Sequence, residues 1–254
     1  MLLPRVIPCL LLDRGGLVKT VRFKAPAYVG DPINAIKIFN EKRVDELIVL
    51  DIGASRNHQE PPYALIEELA GECFMPFCYG GGVTTVAQAA RIVGLGVEKI
   101  AVNHATLARP ELVRELATQL GSQSVVACVD VKKSWRGEYR LYDGVTGRLT
   151  ELDPFEHAES LVRMGAGEVF VNNVDRDGTQ LGYDHELVRR FSSRLSVPVI
   201  ACGGAWKLDH VRDVVKEAGA SAAAAGSMFV FQGPHRGVLI NYPPYAELVR
   251  LLGA

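Results

Sequence analysis

Val125-Val-Ala-Cys-Val-Asp-Val131 is an apolar run of strand length, broken near its end by one carboxylate, Asp130. A run with so little alternation suits a strand buried on both faces rather than a half-exposed antiparallel one. Seven similar runs lie on either side of it, giving expected strands at 6–12, 46–52, 76–79, 99–103, 124–131, 168–174, 197–202 and 221–226. Helical apolar spacing fills the gaps at 32–41, 63–71, 86–95, 110–120, 154–164, 184–194 and 208–218. Eight strands alternating with helices predict a closed parallel (β/α)8 TIM barrel. An open doubly wound sheet is the second choice, since no G-x-G-x-x-G opens the first helix.

The strands also repeat. Tyr79-Gly-Gly-Gly-Val83 is echoed by Ala201-Cys-Gly-Gly-Ala205, and Val49-Leu-Asp-Ile52 by Val171-Asn-Asn-Val174. The offset is about half the chain, which implies two half-barrels of about residues 1–122 and 123–254 in one domain, not a solenoid of short repeats. The first strand, Arg5-Val-Ile-Pro-Cys-Leu-Leu-Leu12, matches 125–131 in character but carries Leu11 where its counterpart carries Asp130. One carboxylate offers an acid or a base, whereas a facing pair offers both.

With 254 residues, 48% of them hydrophobic, the chain can bury a large core. A net charge of −1, from 28 basic and 29 acidic residues, gives no footprint for nucleic acid or a membrane surface. No apolar run approaches the roughly 20 residues that span a bilayer. The chain runs almost at once into a strand containing Arg5, so no secretory leader is expected. Cys9, Cys73, Cys78, Cys128 and Cys202 lack metal spacing and read as reduced thiols of a cytoplasmic protein. No cofactor or metal is expected.

In such a barrel the loops after the strands build the site. Gly80-Gly81-Gly82 follows the third strand and Gly203-Gly204 the seventh; Asn103-His104 ends the fourth and Gly226-Ser227 the eighth. Tight turns alone would use such glycines, but two clusters at equivalent places favour two phosphate sites. Asp130 and Asp51 end strands five and two. Each reads equally as a general acid or base, or as a carboxylate that caps a helix or pairs with Lys132 or Lys19. Asp175-Arg-Asp-Gly-Thr-Gln-Leu-Gly-Tyr183 is long enough to fold over a ligand, with a surface turn as the plainer reading. Asp13, two residues past Leu11, is a weak stand-in for the missing carboxylate and is expected in the loop. Arg5, Glu46, Lys99 and Glu168 open strands one, two, four and six. They would ring the base with alternating charge, either stabilising it or plugging an axial passage.

Glu46–Ile52, the triple glycine, Lys99–Asn103, Val171–Tyr183 and Gly203-Gly204-Ala205 resemble the HisF family, the cyclase subunits of imidazole glycerol phosphate synthase. The resemblance spans nearly the whole chain. It implies a barrel fed with ammonia by a separate HisH-like glutaminase docked at the base, with Arg5, Glu46, Lys99 and Glu168 as the ammonia gate. It places Gly82, Asn103, Asp177, Gly178, Gly204 and Ser227 on the two phosphates of the substrate, and Gly81, His104, Gly203, Gly226, Lys19 and Asp51 join them as binding candidates. Cyclases of the family use two aspartates; Asp130 matches one and Leu11 falls on the other. Losing a positioned acid or base costs about 100- to 10,000-fold in rate. His104, Asn172 and Trp206 are further departures.

Gly15-Gly-Leu-Val-Lys-Thr20, Tyr28-Val-Gly-Asp-Pro-Ile-Asn34, Glu72-Cys-Phe-Met-Pro76 and His235-Arg-Gly-Val-Leu-Ile-Asn-Tyr242 resemble a second HisF branch from surface-polysaccharide gene clusters. That resemblance implies glycosyl amidation, the making of acetamidino sugars for O-antigen or lipopolysaccharide, beside a separate sugar amidotransferase. An active cyclase of histidine biosynthesis is the alternative, and a phosphoribosyl isomerase a third reading that leaves the base ring without a role.

Overall fold

The computed structural model describes residues 3–233 and 235–253. Eight parallel strands form the barrel: β1 (Arg5–Asp13), β2 (Leu47–Asp51), β3 (Phe77–Gly80), β4 (Lys99–Val102), β5 (Val125–Lys133), β6 (Glu168–Asn173), β7 (Val199–Cys202) and β8 (Ala222–Ala225). Each pairs with its neighbours in the chain, β5 pairs with β6 and β8 returns to β1, so the sheet closes. When the ladders are extended by single residues, partners run from Leu12 through Asp51, Gly81, Val102, Ala127, Val169, Val199 and Ser221 back to Pro4. That return is eight residues down the first strand, the stagger an eight-stranded barrel of this class requires.

Alternation along the strands makes two cores. Ile7, Cys9, Ile48, Cys78, Ala101, Val126, Cys128, Phe170, Ile200, Ala222 and Ala224 fill the barrel interior. The opposite faces, with Val6, Leu10, Val49, Tyr79 and Val129 among them, pack against the helices. All five cysteines are free thiols. Burial holds the Cys78 and Cys128 thiols well above their ordinary range, so both line the interior as neutral groups.

The longer helices are α1 (Pro32–Lys42), α2 (Tyr63–Glu72), α3 (Val86–Gly94), α4 (Leu112–Leu120), α5 (Pro154–Arg163), α6 (His185–Ser192), α7 (Leu208–Lys216) and α8 (Tyr245–Leu252), and a short one, Ser227–Val230, follows the last barrel strand. Asp31 and Asp153 cap α1 and α5 ahead of a proline, Thr85 and Gln88 form a reciprocal capping box on α3, and Asp184 caps α6. The helix expected at 110–120 is preceded by a separate short turn of helix, His104–Ala108. No helix among the described residues is long and apolar enough to cross a membrane.

Two features of the mouth lie outside the simple alternation. After β1 the chain forms an arm of two antiparallel strands, Gly16–Val21 and Lys24–Gly30. Its turns place Arg14 and Gly15, then Arg22 and Phe23, at positive φ, the geometry that matches a twisted hairpin. After β5 the chain turns back through Tyr139–Asp143, which pairs with the end of that strand.

Candidate functional site

At the base, each cation touches both anions. Arg5 bonds Glu46 and, at 2.7 Å, Glu168; Lys99 Nζ lies 2.8 Å from Glu46 and 3.1 Å from Glu168. Burial alone would lower the Arg5 pKa, but attraction to Glu46 and then Glu168 outweighs it and the pKa is raised. The Glu46 side chain is only 2% exposed and is held between the two cations. The four residues singled out from the sequence thus form a closed ring of alternating sign.

At the other end one cavity is lined by all the mouth residues singled out from the sequence except Asp13: Lys19, Asp51, Gly81, Gly82, Asn103, His104, Asp130, Asp177, Gly178, Gly203, Gly204, Gly226 and Ser227. Leu11 lines it too. It continues the inward series of Ile7 and Cys9 on β1, just as Asp130 continues Val126 and Cys128 on β5. The two positions are therefore equivalent in facing as well as in sequence.

Asp130 is 8% exposed and no cation stands within 4.0 Å of it among the described residues. Asn103 Nδ2 donates to its Oδ2 at 2.7 Å. Burial pushes its carboxyl up to about 7, opposed by the Asn103 hydrogen bond and reinforced by the charge of Asp177. A group held there can take or give a proton near neutral pH. Neither ion pair considered for Asp130 is formed.

Asp51 follows the plainer reading more closely. Its Oδ1 accepts from the backbone N–H of Gly53 and Ala54, both at 2.9 Å, although it still borders the cavity. Burial raises its pKa. Asp13, expected in the loop, is instead the last residue of β1, because the arm extends the ladder by pairing it with Gly16. Its carboxylate packs over Gly53, where a Cβ would stand 2.9 Å from Oδ1, and it does not line the cavity.

The glycine clusters serve close approach. A Cβ on Gly81 would stand 2.5 Å from the Asp51 carbonyl oxygen, and one on Gly204 2.2 Å from that of Gly182. Tight packing thus accounts for the residue type, while the same turns keep backbone on the cavity wall. Gly82 N already donates to Ser55 Oγ at 3.2 Å. Lys19, 6% exposed, reaches across to Gly226, with no carboxylate within 4.0 Å among the described residues. Its charge is left facing the cavity rather than a fixed partner.

The arm is fastened over the mouth by the loop after β6. Asp177 Oδ2 accepts from Thr20 Oγ1 at 2.8 Å and from Phe23 N at 3.3 Å, while its carbonyl accepts from Arg22 N at 2.9 Å. Phe23, at φ 62°, is costly backbone for a bulky residue and lines the cavity. Gly178 lies against the Thr20 carbonyl, where a Cβ would come within 2.2 Å. Thr20, Phe23 and Ser55 escaped the sequence reading, as did Asp143, whose Oδ1 lies 3.0 Å from His104 Nδ1. The Asp143-Gly144 pair signals a turn; nothing in the sequence signals that the turn meets a histidine 39 residues earlier.

The model of the family described as histidine biosynthesis protein matches residues 5–235. A Pseudomonas aeruginosa protein provisionally named imidazole glycerol phosphate synthase subunit hisF2 is 54% identical over 244 residues, covering 96% of this chain and 97% of the relative. A Vibrio vulnificus protein, provisionally subunit hisF3, is 47% identical over 253 residues, covering 99% and 97%. The Streptomyces coelicolor imidazole glycerol phosphate synthase subunit HisF is 40% identical over 227 residues, covering 89% and 90%. With its closed eight-stranded barrel and near-complete overlap with these relatives, the chain belongs to the HisF family of histidine biosynthesis proteins.

Proposed function

We propose that this barrel receives ammonia from a HisH-like glutaminase at its base and serves the amidation of a sugar in surface-polysaccharide synthesis, beside a separate sugar amidotransferase. The observation that carries it is Leu11. The side chain opposite Asp130 in the repeat cannot move a proton, while the charged ring at the base is complete. A barrel that keeps the ring and loses half of its acid–base pair is suited to handling ammonia rather than to the full cyclisation. The segments Gly15–Thr20, Tyr28–Asn34, Glu72–Pro76 and His235–Tyr242 support placing it in the sugar-amidating branch. The mouth keeps its glycine turns and Lys19, so a phosphorylated ligand remains part of this reading, and the cytoplasm is its expected location.

The test is turnover by the purified chain with excess ammonium and the formimino-ribulosyl bis-phosphate substrate of the cyclases, following imidazole glycerol phosphate. No product is expected from the natural chain, while it still stimulates its glutaminase. Leu11→Asp should bring product formation into view, since a positioned acid or base contributes about 100- to 10,000-fold in rate. Turnover by the natural chain that Asp130→Asn abolishes would instead make it a working cyclase, the alternative reading.

A further inference from the structure

Apart from Asp130, the mouth holds a histidine and a carboxylate in direct contact. His104 Nδ1 lies 3.0 Å from Asp143 Oδ1. Asp143 is itself fixed: Oδ1 also accepts from Val145 N at 2.9 Å, Oδ2 from Thr146 Oγ1 at 2.8 Å, and its carbonyl from Gly147 N at 2.8 Å. Burial works to raise the Asp143 pKa, but the hydrogen bonds from Thr146 and Val145 and the approach of His104 outweigh it, so the group stays ionised. An ionised carboxylate only accepts, which puts the proton on Nδ1 and leaves Nε2 as the working nitrogen. Nε2 has no hydrogen-bond partner among the described residues, and His104 lines the cavity beside Gly81, Gly82 and Asn103. The turn carrying Asp143 comes close to Asp130 as well: a Cβ on Gly144 would stand 3.7 Å from Asp130 Oδ2.

We propose that His104, oriented by Asp143, is a second proton-transfer group of the mouth, acting on a phosphate-bearing ligand seated against Gly81, Gly82 and Asn103. The inference rests on the reading that the mouth takes a phosphorylated ligand and goes beyond it by assigning the proton donor. The imidazolium gives its Nε2 proton to a ligand oxygen, the neutral ring stays hydrogen-bonded to Asp143, and water restores the proton. No electrons move. Asp143 is the positioning residue. The donor stands on the β4–β5 side, next to Asp130, rather than on β1 where Leu11 lies, so it equips the cavity for a different geometry from a facing aspartate pair.

The other titratable or charged groups on the elements around His104 include Asp130, Lys132 and Lys133 on β5, Tyr139, Arg140 and Tyr142 on the strand that carries Asp143, His157 behind Thr106, Arg56 on the Gly144 carbonyl and Arg109 on the Thr84 carbonyl. Burial lowers the His157 pKa, so that ring stays neutral. Asp130 is the group that could compete for a proton.

Calorimetric titration with inorganic phosphate at pH 8, in two buffers of different ionisation enthalpy, reads both affinity and proton uptake. The natural chain is expected to take up a proton on binding. His104→Gln should abolish it and weaken binding about tenfold or more, the loss typical of a hydrogen bond to a charged group. Asp143→Asn should keep measurable binding with reduced uptake. Uptake that survives His104→Gln, or that Asp130→Asn alone removes, would overturn the proposal while leaving the phosphate reading standing. Absence of phosphate binding by the natural chain would overturn both.

Discussion

The two ends of the barrel treat charge in opposite ways. At the base, Arg5, Glu46, Lys99 and Glu168 satisfy one another, and each carboxylate is held by two cations. At the mouth, Asp130 has an amide for a partner and Lys19 has no carboxylate within ion-pair distance. A neutralised ring is a structural element whose members are difficult to remove singly. Separated charges in a lined cavity are instead available to a ligand. Leu11 accentuates the difference by taking away a mouth position where the repeat would have placed a carboxylate facing Asp130.

Removing one member of the ring should have the largest effect on stability. Glu46→Ala leaves Arg5 and Lys99 sharing a single carboxylate and should cost about 3–5 kcal/mol in urea unfolding. A loss below about 1 kcal/mol would mean that the ring behaves like an exposed surface pair and would break the comparison.

Next is the carboxylate at the mouth. The folded Asp130 titrates near 7 instead of the ordinary 3.8, so the folded state keeps a proton that the unfolded chain gives up between those values. Its contribution to stability is therefore present below about pH 4 and is lost as pH rises through 7, by on the order of 4 kcal/mol. Asp130→Asn should remove that slope, gaining on the natural chain as pH rises from 4.5 to 8. Parallel unfolding curves for the two proteins across that range would show that Asp130 is solvated like a surface carboxylate.

The smallest expected effect is on the arm. Thr20→Val removes one of the bonds to Asp177 and should loosen the arm by about 1 kcal/mol, read as faster amide exchange over residues 16–30 with the barrel strands unchanged. Unchanged exchange there would mean that the backbone bond from Arg22 to Asp177 is sufficient to fasten it.

The barrel was legible because its strands are buried on both faces. Val125–Lys133 and Glu168–Asn173 show their apolar runs directly, and equal spacing of the glycine turns exposed the repeat. The arm was not legible. Gly16–Val21 contains Lys19 and Thr20, which are buried by the mouth and not by a sheet face, and Lys24–Tyr28 of the outer arm strand is exposed. Asp13 was misplaced for the same reason, since only the arm extends β1 that far. The carboxylates Asp51 and Asp130 at the ends of barrel strands could be named from the sequence, but not the partner that decides the state of each. Burial sets Asp130, two backbone N–H groups hold Asp51, and the Asp143 contact with His104 exists only once two loops have met.

The closed ladder also decides how this protein avoids unwanted association. Each strand of the barrel has a strand on both sides, so the barrel offers no edge to another chain. The longest strand with one side unpaired among the described residues is the outer arm strand, Lys24–Gly30. Lys24 opens it, Ala25 is turned to φ 49° and Pro26 lacks an N–H. Those three residues spoil the longest template for intermolecular sheet growth among the described residues, beside the mouth of the barrel.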